Sequence, residues 1–219
     1  FDKDYKNDLK NFLKILNNSK NNSSNFNLLK TYLDDEYIGR YLAYLVLSQN
    51  FHSSRIHNNR LIIDPWRGQV FPVVTDPSLP FLMSKNLDES SNDLTSILNQ
   101  NSHFLNLKFF YLKKLLFEEN ILDKEINYLI NSRKNIISVM KKDPVLINII
   151  PEIFIKNKNF ELIDRAIDLL EARKKNLKEE LNKTPNALWI NNKKNFSIVI
   201  NDQLPINNLE LLFEKDTPE

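Results

Sequence analysis

The sequence predicts a mainly α-helical fold carrying two small β hairpins. Apolar residues recur at three- and four-residue spacing over most of the chain. Near 60–75 and 187–200 that pattern gives way to paired short runs of branched and aromatic residues, each pair enclosing a polar turn. The 219 residues suit one large domain, and a hydrophobic content of 42% is enough to build its core.

The elements follow in order. Asp4 to Leu16 reads as a helix with Leu9, Phe12, Leu13 and Leu16 on one face. Asn17 to Asn25 is Asn/Ser-rich without a large apolar run and is expected to be a loop. Leu28 to Leu33 starts a short helix. Asp34, Asp35 and Glu36 then stand where a helix N-terminus favours negative charge. The helix they open carries Tyr37, Ile38, Tyr41, Leu42, Leu45, Val46 and Leu47, and its apolar character makes it central. Arg60 to Ile63 and Gln69 to Val74 read as strands. Between them Asp64-Pro65-Trp66-Arg67-Gly68 is a turn: Asp bonds its own downstream backbone, Pro presets φ and Gly takes the left-handed position.

The segment from Asp76 to Asn92 is turn-rich, with Pro77 and Pro80. From Asp93 the chain is helical. Leu105, Phe109, Leu112, Leu115 and Leu116 form one face, and Ile121 to Met140 forms a further helix that Asp143-Pro144 breaks. Phe160, Ile163, Ile167, Leu170, Leu177 and Leu181 mark a long helix with a basic outer face. Ala187 to Ile190 and Phe196 to Ile200 form the second hairpin, and an acidic tail follows from Asn207.

Composition narrows the function classes. A net charge of +2 with 26% charged residues describes a mixed, solvated surface and not a nucleic-acid-binding one. With no Cys, thiol catalysis, disulfides and Cys-zinc sites are excluded. Gly39 and Gly68 are too few for a P-loop, a dinucleotide-binding turn or a glycine-rich kinase loop. No apolar run approaches the roughly 20 residues of a membrane span, and no secretory signal is visible. The chain opens on Phe1, so a processed or excised piece of a longer protein is expected.

The stretch from Phe51 to Phe81 concentrates the candidate chemistry. Asp76 follows a Pro-containing strand, where an acid can hold Mg²⁺ or simply open the turn before Pro77. Asn58 and Asn59 precede the first strand, as a second metal ligand or as plain loop residues. His52 and His57 flank Ser53 and Ser54, but no nucleophile elbow accompanies them, and two His alone lack the ligand count of a zinc site. His103 is expected in a polar surface loop. Arg173-Lys174-Lys175 is expected to be a solvated face, and Asp34 to Glu36 a helix start with no calcium loop after it. Trp66 and Trp189 are isolated and form no stacking platform.

Together, YLAYLVLSQNFHSS, RIHNNRLII, DPWRGQ and VFPVVTDP resemble the spore-coat protein H (CotH) kinase-like family. The preceding FNLLKTYLDDEYIGRYLAY is similar to that family's Asp-rich entry to a central helix, and LLEARKKNLKEEL with ALWINNKKNFSIVI to its C-terminal region. The resemblance implies the helical C-terminal lobe of an atypical protein-kinase-like fold over residues 1–219, with the lobe that holds the ATP phosphates lying before Phe1. It implies Mg²⁺ and ATP as cofactors, with Asn58 and Asp76 as metal and nucleotide ligands. It also implies an extracellular, cell-surface or spore-coat setting with surface or coat proteins as partners. The family's catalytic Asp falls on His52, and one acid of its Asp-x-Asp pair falls on Val74. These departures imply a phosphotransferase with weak or lost activity, or a non-catalytic structural or interaction module. A helical interaction domain of unrelated origin is the third reading.

Overall fold

The computed structural model describes residues 2–19, 23–49, 60–74, 87, 92–140, 142, 158–183, 187–192 and 195–200. Its mainly helical character agrees with the fold class read from the sequence. Helix α1 is Asp2–Ser19, α2 is Ser23–Thr31 and α3 is Asp35–Ser48. The first hairpin pairs β1, Arg60–Asp64, with β2, Gln69–Val73. Then come α4, Asp93–Asn99, and α5, Ser102–Lys113, which runs into a π-helical turn, Lys114–Glu118. Helices α6, Ile121–Met140, and α7, Lys158–Leu181, precede the second antiparallel hairpin, β3, Ala187–Asn192, with β4, Asn195–Ile200.

Local chemistry sets these boundaries. Asp34 caps α3 by accepting the Tyr37 N–H at 2.8 Å, and Asp35 and Glu36 add negative charge to the first turn. The helix ends at Gln49, in the left-handed region with φ +50°. Asn92 and Thr95 form a reciprocal capping box at α4, and Asn101 caps α5 through the His103 N–H. The π turn closes with Glu119 N–H donating to Lys114 O at 2.9 Å, and left-handed Asn120 lets the chain turn into α6.

Helix α3 divides the interior between two clusters. Ile38, Leu42 and Leu45 pack with Phe12, Leu29, Leu33, Val70, Leu94, Leu98 and Phe104. Ala43, Val46 and Leu47 pack with Leu87, Phe109, Leu112, Leu116, Leu122, Leu177 and Leu181. A helix with two buried faces must be apolar nearly all round, as this one is. Two ion pairs cross from α6 to α7, Asp123 with Lys174 and Arg133 with Asp164, each at 2.5 Å. Their order makes the two helices antiparallel. Among the described residues, no helix is long and apolar enough to cross a membrane.

Two expectations about the N-terminal region are corrected. The polar stretch 17–25 is mostly helical, because α1 continues to Ser19 and α2 begins at Ser23. Ser19 Oγ donates to Ile15 O at 2.7 Å, and the Asn25 amide donates to Asn18 O at 3.3 Å. The short polar side chains thus serve helical carbonyls instead of competing with the helix. Leu13 is also not on the buried face; at 40% exposure it lies on the rim beside buried Phe12 and Leu16.

Candidate functional site

The first hairpin is the frame on which the candidate residues hang. Its register places Arg60 opposite Val73, Ile62 opposite Phe71 and Asp64 opposite Gln69. At its tip, Asp64 Oδ1 accepts the N–H groups of Trp66 and Arg67 at 2.9 and 3.3 Å, and Gly68 has φ +64°. This is the turn the sequence specifies. Trp66 stands 94% exposed on it.

Three contacts fix β2 against α3 and the turn that follows α2. Val70 N–H donates to Tyr32 O at 2.7 Å, the Tyr37 hydroxyl donates to Pro72 O at 2.7 Å, and the Tyr37 ring meets Phe71 edge-on at 5.0 Å. Pro72 has no N–H to offer a neighbouring strand, so its place in β2 is tolerated only because this edge meets a helix. Partial burial raises the Tyr37 phenol above its ordinary value of 10.0, so the hydroxyl stays a donor further into alkali than a free tyrosine would. Tyr37→Phe is expected to lower stability by about 1 kcal/mol, measured by urea unfolding at pH 7. A raised folded-state value means that the hydroxyl's contribution is complete below pH 10 and fades as pH rises through the raised value. The difference between Tyr37→Phe and the parent should therefore narrow only in strong alkali.

The open end of the hairpin is the end that matters for the candidate site. Because Arg60 faces Val73, the segments carrying Asn58 and Asp76 join the hairpin at the same end. Asn58 stands two positions before Arg60 and Asp76 three positions after Val73, a reach of about 7 Å and about 11 Å at most. His52, Asn58 and Asp76 themselves lie outside the described residues, as do His57 and Asn59. The described part of the chain supplies their frame.

A second polar cluster joins the N-terminal turns of α3 and α5. His103 Nε2 lies 2.8 Å from Asp35 Oδ2, and Lys30 Nζ lies 4.0 Å from the same oxygen. His103 is the second residue of α5 and rests against Phe104, so the expected loop is corrected to a helix start, while its side chain remains half exposed. Among the described residues, no group of three or more His, Cys, Asp or Glu side chains is arranged to hold a metal ion.

Two buried cations escaped the sequence reading. Lys108 is 1% exposed, and its ammonium donates to Leu87 O at 3.0 Å and to Asn99 Oδ1 at 3.1 Å. Arg173 is 2% exposed, and its guanidinium donates to Val46 O in the last turn of α3. The expected solvated face at Arg173-Lys174-Lys175 is thus corrected: Arg173 is interior, Lys174 pairs with Asp123, and Lys175 is exposed. The signal was present in the spacing. Lys108 falls four residues from buried Phe104 and Leu112, and Arg173 four residues before buried Leu177. A cation on an apolar stripe is either snorkelling or bonded, and these two are bonded.

Comparison of the chain with protein-family models, with curated proteins and with solved structures gives no match. The class that the fold defines is a mainly helical domain whose central helix leads towards an antiparallel hairpin.

Proposed function

We propose that the chain is the helical lobe of a CotH-like, kinase-type protein in which Asn58 and Asp76 hold Mg²⁺ and ATP. In this reading His52 occupies the position of the catalytic acid. One observation carries it: the register of β1 and β2 brings the segments with Asn58 and Asp76 to one end of a hairpin that α3 buttresses. Phosphoryl transfer depends on positioning and on charge neutralisation by metal more than on covalent chemistry. Two oxygen ligands from adjacent loops would supply the metal's protein contacts, and hard Mg²⁺ prefers such oxygens. A His at position 52 could accept a proton but adds no negative charge beside the metal. Val74, in place of a second acid, removes one ligand more. Transfer in this protein is therefore weak or lost, and nucleotide binding is the activity to measure.

The second reading is a non-catalytic structural or interaction module, in a cell-surface or coat setting, with surface or coat proteins as partners. His52 and Val74 favour it, since both replace acids that the resemblance requires.

Calorimetric titration of the full-length protein with ATP, with and without Mg²⁺, separates the two. The kinase-type reading expects Mg²⁺-dependent binding that weakens at least about tenfold in Asp76→Ala. A well-folded protein that binds no nucleotide overturns it and leaves the structural role standing.

A further inference from the structure

We infer that β1 is a docking edge for β1 of a second copy of this chain, paired antiparallel in a register centred on Ile62. The hairpin itself fixes which backbone groups face outward. Val70 N–H donates to Tyr32 O, away from β1, and Pro72, which has no N–H, turns its carbonyl to the Tyr37 hydroxyl. Ile63 and Leu61, their partners in the register, therefore form non-hydrogen-bonded pairs with β2 and point their N–H and C=O groups to the opposite edge. Among the described residues, β1 has no strand on that edge. It also carries no Lys, Pro or bulge, the devices that guard an exposed edge against another chain.

The edge is complementary to itself. Leu61 and Ile63 pack against the core, so Arg60, Ile62 and Asp64 share the outer face. In a two-fold pairing about Ile62, Leu61 of each copy meets Ile63 of the other as a hydrogen-bonded pair, and every outward N–H and C=O of both residues finds a partner. Ile62 meets Ile62 across the axis, which covers a side chain that is 58% exposed in the single chain. Arg60 stands opposite Asp64 at both ends, a favourable cross-strand pair of opposite charges. Asp64 has room for it: Oδ1 serves the turn, while Oδ2 makes a loose contact with Arg67 Nε at 3.7 Å. A register shifted by two residues sets Ile62 against a charge, so the side chains select the centred one. Five residues a side bury less than a standard interface, which makes the association weak.

The chain has no Cys, so a single introduced thiol reports the register. Non-hydrogen-bonded partners stand about 4.5 Å apart at Cα, within reach of a disulfide. Under mild oxidation, Ile62→Cys in the full chain is expected to form a disulfide-linked dimer at least about tenfold faster than Arg60→Cys, whose two copies would stand about 13 Å apart. Both positions are exposed, so neither thiol disturbs the core. Sedimentation of the parent from about 10 μM to about 1 mM should show reversible dimerisation, weakened at least about tenfold by Ile62→Lys, which sets two like charges face to face. Equal crosslinking of the two Cys variants overturns the inference, as does a folded parent that stays monomeric across that range. Dimerisation untouched by Ile62→Lys places the contact elsewhere and overturns it too. No readout involves nucleotide, so the outcome is independent of the metal-site reading.

Discussion

Gly39→Val is expected to cost about 3 kcal/mol, read as a lower urea midpoint at unchanged slope. Gly39 lies on α3 where that helix crosses α5. A Cβ there would stand 2.5 Å from Tyr111 Cδ2, 2.9 Å from Tyr111 Cε2 and 3.1 Å from Leu107 Cβ. The Tyr111 ring is the movable neighbour. It is held by an edge contact with Phe110 at 5.0 Å and by the Arg40 guanidinium 5.2 Å from its centroid. Leu107 Cβ is fixed to the backbone and cannot swing away. Two effects oppose each other. Removing glycine from a helix interior favours folding by about 1 kcal/mol, whereas overpacking costs about 1–3 kcal/mol. For alanine the overpacking exceeds that gain, with a net cost of about 1 kcal/mol. For valine the branched side chain adds methyl groups to a contact already too short, and overpacking wins. In a Tyr111→Ala background the main obstruction is gone, so Gly39→Ala should become neutral or stabilising there. Additive effects of the two substitutions would show that the close approach at Gly39 does not limit the α3–α5 contact.

The parts of the fold that were legible are those decided by local chemistry. Asp34 reads as a cap because its carboxylate has one orphan N–H to serve, and it serves Tyr37. The Asp64-to-Gly68 turn reads as a turn because each residue type answers a specific backbone demand, and the bonds to Trp66 and Arg67 are those expected of an Asp there. Ile121 and Met140 bound their helix where the sequence places them. The misreadings share another cause. At 17–19 composition suggested a loop, but polar residues at a helix end cost little when a side chain such as that of Ser19 bonds a helical carbonyl. His103 and Arg173 were judged by residue type and Lys108 went unread, while their positions were set by tertiary partners far away in sequence, namely Asp35, Val46 and Leu87. No local pattern names such partners. The candidate site divides in the same way. Its frame is a hairpin with a local code, while the geometry of His52, Asn58 and Asp76 depends on segments for which the sequence offers only resemblance.

Arg173→Ala is expected to lower stability by about 4 kcal/mol. Two losses combine. The stem of Arg173 lies in the interior between α7 and α3, so its truncation leaves a cavity. The guanidinium also serves Val46 O, one of the last carbonyls of α3, in the turn where helical i+4 donors run out as the helix ends at left-handed Gln49. An opposing gain comes from no longer desolvating a cation, and Arg173→Met isolates it by keeping most of the volume while removing the donors. If the bond to Val46 O outweighs desolvation, Arg173→Met costs about 2 kcal/mol and Arg173→Lys recovers part of that. If desolvation wins, Arg173→Met is neutral or stabilising, and Arg173 is then a tolerated burial and not a clamp. The distinction reaches function through sequence order. The turn that Arg173 holds is the last of α3, and the chain next enters the segment with His52 and Asn58. A clamp at Val46 holds the last turn of α3, from which that segment departs. Under the proposed kinase-type reading, Arg173→Met weakens Mg²⁺-ATP binding to a degree that follows its loss of stability. A large stability loss with unaltered binding would confine Arg173 to the fold.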